Sequence, residues 1–126
     1  VAVEEFIRWV TPIHNMCRVA LTDAPVAGGV VPAGHQVVML YGAANRDPAH
    51  FEDPERFDVT RAHNAHIAFG FGTHFCLGAA LARLEGCVAL DEVLTRFPTW
   101  EVDTDNAVQA RTSTVRGWES LPVFTP

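Results

Sequence analysis

The chain has 126 residues, of which 48 % are apolar and 19 % are charged, and its formal net charge is −6. This composition is that of one globular domain, and it excludes a disordered or fibrous chain. The negative charge argues against nucleic-acid binding through a basic surface, and no apolar run approaches the ~18 residues that a membrane span requires.

The first part of the chain predicts one helix followed by two strands. A helix is predicted over residues 4–10, where apolar residues recur on one side, and Pro12 ends it because proline disfavours a helical residue before it. Residues 17–21 and 36–41 have the β-branched and apolar character of strands. The glycine-containing segment 26–32 between them predicts a tight reversal.

The second part predicts a long irregular segment, one long helix and a few short strands. Residues 43–64 contain Asp-Pro pairs and isolated apolar residues, and residues 100–126 alternate weakly, as short strands and a hairpin do. A helix is predicted from 77 to about 97. Its apolar face is interpreted as core packing and comprises Leu77, Leu81, Leu84 and Val88. The predicted fold class is therefore mixed α+β, mainly α, without regular βαβ units.

Three cysteines do not make an even disulfide framework, and no signal peptide precedes them. Both facts predict a reducing, cytoplasmic location. Cys17 and Cys87 are interpreted as inert, buried apolar side chains. The sequence opens at Val1 inside an amphipathic pattern, so we expect it to be a fragment of a longer protein.

Cys76 is the residue whose surroundings indicate chemistry. It lies at the predicted start of the long helix, where unpaired N–H groups stabilise a thiolate over a thiol. Gly70, Gly72 and Gly78 allow the backbone to approach a flat ligand, because no Cβ stands in the way. Three aromatic rings are expected to exclude water, namely Phe69, Phe71 and Phe75. These features describe a shielded thiolate beside a planar group, as in an axial cysteine ligand to haem.

The same stretch admits two other interpretations. A zinc site could use His63, His66, His74 and Cys76, although their spacing is not that of a common zinc finger. A dinucleotide-binding loop fails, because Phe75 occupies the third glycine position of that motif.

The stretch resembles the haem-binding loop of the cytochrome P-450 superfamily, bacterial soluble type. The matching residues are Phe69-x-x-Gly72-x-His74-x-Cys76-x-Gly78, within FGFGTHFCLGAALARLE. Glu5-x-x-Arg8 is similar to the family's E-x-x-R helix, and residues 44–48 and 51–58 are similar to its meander. PIHNMCR and SLPVFTP weakly resemble steroid side-chain hydroxylases of the group.

The resemblance implies a role for each matching residue. Cys76 would be the proximal ligand of the haem iron, and Arg18 and His74 would pair with the haem propionates. The other expected cofactor-binding residues are Phe69, Gly70, Gly72 and Gly78. A buried charge triad would comprise Glu5, Arg8 and Arg56. The expected substrate-lining residues are Ile13, Asn15, Met16, Thr114 and Val115.

The resemblance also implies what an intact protein would do. It would be a monooxygenase with haem b (iron protoporphyrin IX), inserting one oxygen atom of O2 into a hydrophobic small molecule such as a steroid or lipid. Electrons would come from NAD(P)H through a reductase and a ferredoxin. Arg61 and Arg83 would either face an acidic redox partner or be solvated charges.

Residues 1–126 would form the C-terminal, haem-binding part of the family's fold, without its N-terminal part and without its long oxygen-activating helix. Alone, this segment is expected to be inactive. Two alternatives remain open: a short haem-binding protein without catalysis, acting as a carrier or sensor, and an inactive remnant without a ligand.

Overall fold

The computed structural model describes residues 1–125, so Pro126, the end of the last predicted segment, lies outside the described residues. Within them lie three α-helices, one 3-10 turn and eight short strands. The helices are α1 (Ala2–Val10), α2 (Tyr41–Ala44) and α3 (Ala79–Arg96), and the 3-10 turn spans Gly72–His74. The strands are β1 (Asn15–Val19), β2 (Ala24–Val26), β3 (Gly29–Val31), β4 (Gln36–Leu40), β5 (Glu101–Val102), β6 (Val108–Gln109), β7 (Trp118–Ser120) and β8 (Val123–Phe124).

Helix α1 ends where the sequence predicts. Thr11, which follows it, has a left-handed backbone with φ 43°, and its N–H donates to the carbonyl of Ile7. The Thr11 hydroxyl also donates to the carbonyl of Arg8 at 2.7 Å. These bonds satisfy carbonyl groups that the end of a helix leaves without partners. Pro12 then directs the chain away.

The strands form four antiparallel pairs, β1 with β4, β2 with β3, β5 with β8 and β6 with β7. Strand β1 begins two residues earlier than predicted, because its pairing with β4 places Asn15 opposite Leu40 and Val19 opposite Gln36. The predicted tight reversal is confirmed as the β2–β3 hairpin. Its two turn residues, Ala27 and Gly28, both have positive φ, as a two-residue hairpin loop requires.

Helix α3 buries a different face from the one predicted. Leu77, Leu81, Leu84 and Val88 are exposed, by 53 % to 103 % of their surface, so the interpretation of this row as core packing is wrong for this chain. The opposite face carries small residues and packs on α1. A Cβ at Gly86 would lie 3.1 Å from Cγ1 of Val3, so a side chain at this position would require Val3 to shift by a few tenths of an ångström.

The buried interior of the chain is small and largely polar. Its apolar members are Tyr41, Phe51, Ala68 and Ala79, whereas the largest fully buried side chains are Arg8, Glu5, Asn45 and Thr11. The four polar residues join α1 to the irregular segment between α2 and the 3-10 turn. The predicted mixture of helix and strand is confirmed, and among residues 1–125 no helix combines the length and the apolar character needed to span a bilayer.

Candidate functional site

A cavity of about 740 Å³ lies between α1, the start of β1, the loop before α3, and α3 itself. Its walls are mostly apolar. The residues around it are Val3, Phe6, Ile7, Pro12, Ile13, Met16, Arg18, Tyr41, Ala68, Phe69, Gly70, His74, Cys76, Ala82, Gly86, Ala89 and Leu90. The structure therefore brings five predicted cofactor residues, Arg18, Phe69, Gly70, His74 and Cys76, to one cavity.

The loop that carries Cys76 is shaped by backbone hydrogen bonds. The N–H of Cys76 donates to the carbonyl of Phe69 at 2.8 Å, and the N–H of Phe75 donates to the carbonyl of Gly72 at 3.0 Å. Gly70 has φ 78°, and a Cβ there would lie 3.4 Å from the carbonyl oxygen of His74. The loop thus closes on itself at a residue where a side chain would be strained.

The structure corrects two expectations for the surroundings of Cys76. Helix α3 starts at Ala79 with Gly78 as its N-cap, so Cys76 precedes the helix, and its carbonyl accepts the N–H of Ala79 at 3.2 Å. The expected aromatic shield is also wrong for this chain, because Cys76 is exposed and Phe71 is 88 % exposed. Gly72 and Gly78 shape the loop without lining the cavity.

The described residues fit a flat, partly charged cofactor. A cysteine thiolate can act as a metal ligand, and apolar walls suit a hydrophobic macrocycle. Arg18, half-buried on β1, and His74 place hydrogen-bond donors at the same cavity, where they suit carboxylate groups.

The predicted substrate-lining residues fall into two sets. Ile13 and Met16 line the cavity, and the other three support the segment that carries them. The side-chain amide of Asn15 donates to the carbonyl of Ser113 at 2.9 Å, and the carbonyl of Thr114 accepts the N–H of His14 at 2.7 Å. Val115 forms an isolated bridge with Ile13.

A second polar centre lies behind the cavity, where α1 contacts the irregular segment. Arg8 donates two hydrogen bonds to the carboxylate of Glu5, at 2.7 and 2.8 Å, and both side chains are fully buried. Arg8 also donates to the carbonyls of Asn45, Pro54 and Arg56. The guanidinium therefore ties α1 to three points of the irregular segment.

The third member of the charge cluster is Arg61, so the assignment of Arg56 is wrong. Nε of Arg61 lies 3.2 Å from the carboxylate of Glu5, and its side chain is only 10 % exposed. Arg56 is exposed and contributes its carbonyl, which accepts from Arg8 and Arg61. The chain turns between residues 56 and 61, and only the later arginine points back towards Glu5.

The charge cluster keeps Glu5 ionised. Burial alone would raise the pKa of Glu5, but the hydrogen bonds from Arg8 and from the N–H of Asp58, together with the charges of Arg8 and Arg61, lower it to about 2. Asn64 donates a further bond to the same carboxylate at 3.0 Å. Five donor groups thus surround one buried carboxylate.

Arg83, predicted either to face a redox partner or to be a solvated charge, is partly exposed and pairs with Glu4. It donates to Glu4 through Nε at 2.7 Å and through Nη2 at 3.0 Å. These hydrogen bonds from Arg83 are the main cause of the lowered pKa of Glu4. Arg61 is likewise occupied, by Glu5. Neither arginine is a free surface charge.

Sequence reasoning missed two fully buried polar residues, Asn45 and Thr11. The amide of Asn45 donates to the Thr11 hydroxyl at 2.9 Å, and its carbonyl oxygen Oδ1 accepts the N–H of Ile67 at 2.8 Å. Asn45 lies in the ANRDP stretch, and the resemblance of that stretch to the meander did not indicate a role for this residue. The small residues of α3 at 82, 86 and 89 were also missed, although their helical spacing could have revealed a second face.

The zinc interpretation receives no support from the described residues. Among them, no group of three or more His, Cys, Asp and Glu side chains is placed to hold a metal ion. His66 instead contacts Glu4, at 3.0 Å. All three cysteines are free, and Cys17 and Cys87 are exposed, so their interpretation as buried side chains is wrong. The cytoplasmic location stays a prediction.

The comparison with known proteins assigns the family. A sequence model of the cytochrome P450 family matches residues 1–120. The chain therefore belongs to the cytochrome P450 family, and the recognition made from the loop, helix and meander motifs is confirmed. The family implies a haem cofactor, which agrees with the residues gathered at the cavity.

Relatives and solved structures give the same assignment. The chain is 47 % identical over 128 residues to a steroid C26-monooxygenase of Mycobacterium tuberculosis, covering 99 % of this chain and 34 % of the relative. It is 44 % identical over 124 residues to the 6-deoxyerythronolide B hydroxylase of Saccharopolyspora erythraea, covering 97 % and 31 %. The crystal structure of P450BioI in complex with hexadec-9Z-enoic acid ligated acyl carrier protein matches with a TM-score of 0.92 and 41 % identity, covering 98 % and 32 %.

The chain spans about one third of the length of these relatives. Its fold is accordingly a portion of the cytochrome P450 fold, which confirms the predicted fold class.

Proposed function

We propose that residues 1–126 are the C-terminal, haem-binding segment of a cytochrome P450 monooxygenase. The observation that carries this proposal is the cavity that joins Cys76 to Arg18 and His74 across apolar walls. Cys76 would hold the iron of haem b through its thiolate, and it is the residue that we assign to catalysis. When bound, the haem supplies the activation of O2, which a thiolate ligand favours.

The chain's own residues bind and orient the cofactor. Arg18 and His74 hold the haem propionates through charge-assisted or N–H hydrogen bonds. Phe69 and Gly70 form a flat wall beside the Cys76 loop. The Cys76 N–H donates to the Phe69 carbonyl, and this bond shapes the loop that would hold the cofactor.

The substrate is a hydrophobic small molecule such as a steroid or lipid. Ile13 and Met16 supply apolar contacts at the cavity. The similar proteins are named for a steroid, for 6-deoxyerythronolide B and for a complex with a hexadecenoyl-carrying protein. Asn15, Thr114 and Val115 position the segment that presents Ile13 and Met16.

The rest of the monooxygenase is supplied by other chain segments and proteins. The exposed row Leu77, Leu81, Leu84 and Val88 is covered there by the part of the fold that the relatives have in addition. The electron donors would be a ferredoxin and an NAD(P)H-dependent reductase. The 126-residue chain alone does not turn over substrate.

The test is the absorbance spectrum of the haem-loaded protein, reduced and exposed to carbon monoxide. It is recorded for the 126-residue chain and for the longer protein that carries it. We expect a strongly red-shifted Soret band in the longer protein, and its loss in Cys76→Ala. The matched control is Cys87→Ala, since Cys87 is also an exposed thiol but lies on α3 outside the cavity.

Each outcome separates the candidates. A red-shifted band in the 126-residue chain alone would support the carrier or sensor alternative. A spectrum like that of free haem in both proteins would overturn the proposal and favour the remnant. A band that survives Cys76→Ala would overturn the assignment of the ligand.

A further inference from the structure

We infer that Glu4, His66 and Arg83 form a clamp that positions Phe69, and that Phe69 in turn holds the loop that carries Cys76. We call these three residues the Phe69 clamp. None of them is among the described residues that line the cavity, so they are positioning residues that act through Phe69. The inference rests on the proposed function in that it assigns Cys76 to haem.

The ring of Phe69 is contacted from three directions. The guanidinium carbon of Arg83 lies 4.6 Å from its centroid, the ring of His66 lies 5.8 Å away, and the ring of Phe75 lies 6.3 Å away, edge to face. A cation over an aromatic face is attracted by the ring quadrupole. The Phe69 side chain is therefore held by contacts from α3, from the preceding segment and from the loop.

Glu4 on α1 joins the other two members of the clamp. Its carboxylate accepts two hydrogen bonds from Arg83 and one contact from Nε2 of His66, at 3.0 Å. The contacts form a closed circuit, from Glu4 to Arg83, to Phe69, to His66 and back. Two hydrogen bonds to one carboxylate fix the plane of a guanidinium, so Arg83 is held over the ring.

The backbone assigns the tautomer of His66. The N–H of Ala68 donates to Nδ1 of His66 at 3.3 Å, so that nitrogen carries no proton and Nε2–H donates to Glu4. Burial lowers the pKa of His66, although the carboxylate of Glu4 opposes this effect. The neutral ring is thereby anchored at both nitrogens, one of them to the residue before Phe69.

The link to the ligand runs through the backbone of Phe69. Its carbonyl accepts the N–H of Cys76 at 2.8 Å, and Gly70 follows it with φ 78°. A glycine restricts the backbone little, so beyond its bond from Cys76 this carbonyl needs a further restriction. The side-chain contacts of Phe69 supply that restriction.

The test measures how fast the reduced, carbon monoxide-bound protein loses its red-shifted Soret band on mild heating. The haem-loaded longer protein is used. We expect Arg83→Gln and Glu4→Gln to speed this loss several-fold. The rate for Arg83→Lys should lie between those of these variants and that of the parent, since lysine keeps the charge but cannot donate two parallel hydrogen bonds as a guanidinium does. The matched control is Arg96→Gln, because Arg96 pairs with Glu92 on the same helix but far from Phe69. The control should leave the rate unchanged.

A general loss of stability is separated from positioning by a second background. If Arg83 acts through Phe69, Arg83→Gln should add little to the rate already raised by Phe69→Leu. An equal effect of Arg83→Gln in both backgrounds, or none in the parent, would overturn the clamp.

A haem-free measurement keeps the clamp distinguishable from the proposed function. In this measurement Cys17 and Cys87 are replaced by serine. The rate at which iodoacetamide alkylates Cys76 should change several-fold in Arg83→Gln and stay unchanged in Arg96→Gln. A parent protein without the red-shifted band would overturn the proposed function, and unchanged alkylation would overturn the clamp.

Discussion

The charge cluster around Glu5 and the exposed face of α3 invert the usual arrangement of a small domain. Glu5 and Arg8 are fully buried, and every contact that stabilises them comes from this chain. On α3, Leu81 and Leu84 are exposed. Buried charge is stable only where partners surround it, and apolar surface is stabilised only where something covers it. The first region therefore has its partners among the described residues, whereas the leucine row is not covered by them.

The largest expected effect comes from breaking the cluster at its centre. Glu5→Gln keeps the shape of the side chain but leaves Arg8 buried without its counter-charge, at a cost of about 3–5 kcal/mol in the free energy of unfolding. Chemical denaturation of the longer protein measures it. Glu92→Gln, which breaks the exposed pair with Arg96, should cost about 0.5 kcal/mol or less. Equal costs for the two variants would contradict the comparison.

The same cluster predicts how stability depends on pH. The folded pKa of Glu5 is lowered from 4.5 to about 2, so the unfolded chain binds more protons than the folded chain within that interval. The contribution of Glu5 is present in full above pH 4.5 and is lost as the pH falls towards 2. Denaturation midpoints measured across this range should fall more steeply for the parent than for Glu5→Gln. Parallel slopes would show that Glu5 is not the responsible group.

The correction of Arg56 to Arg61 can be tested with two matched variants. Arg61→Gln removes an ionic hydrogen bond to Glu5 and bonds to the carbonyls of Glu52, Asp53 and Arg56, and should cost about 1.5–3 kcal/mol. Arg56→Gln leaves the contributing carbonyl in place and should cost about 0.5 kcal/mol or less. Urea denaturation compares them directly. The reverse order would restore the assignment from sequence.

The smallest effect is expected on the exposed face of α3. In the 126-residue chain, Leu84→Ala should change the free energy of unfolding by about 0.5 kcal/mol or less, because Leu84 is 61 % exposed. In the longer protein we expect about 2–5 kcal/mol, the usual cost of truncating a buried leucine. Thermal unfolding of both proteins measures the difference. A small effect in both would show that nothing covers this face.

Local signals predicted much of the site. The Cys76 loop, the glycines and the E-x-x-R pair are short-range patterns, and their chemistry can be deduced from neighbouring residues. The end of α1 before Pro12 and the β2–β3 hairpin followed from local patterns in the same way. The third charge partner did not, because Arg56 and Arg61 lie five residues apart in an irregular segment with no period that indicates which one points inwards.

The sequence by itself determined the family and the kinds of elements and predicted Cys76 as the ligand, since all three depend on residues close together in the chain. Only the tertiary structure decided which face of α3 meets α1, which arginine reaches Glu5, and that Arg83 lies over Phe69. Each of these depends on the approach of segments dozens of residues apart. The neighbouring helix sets which side of a helix is buried. Because Gly86 lies close to Val3, α3 buries its face of small residues, whereas the leucine row predicted burial of the opposite face.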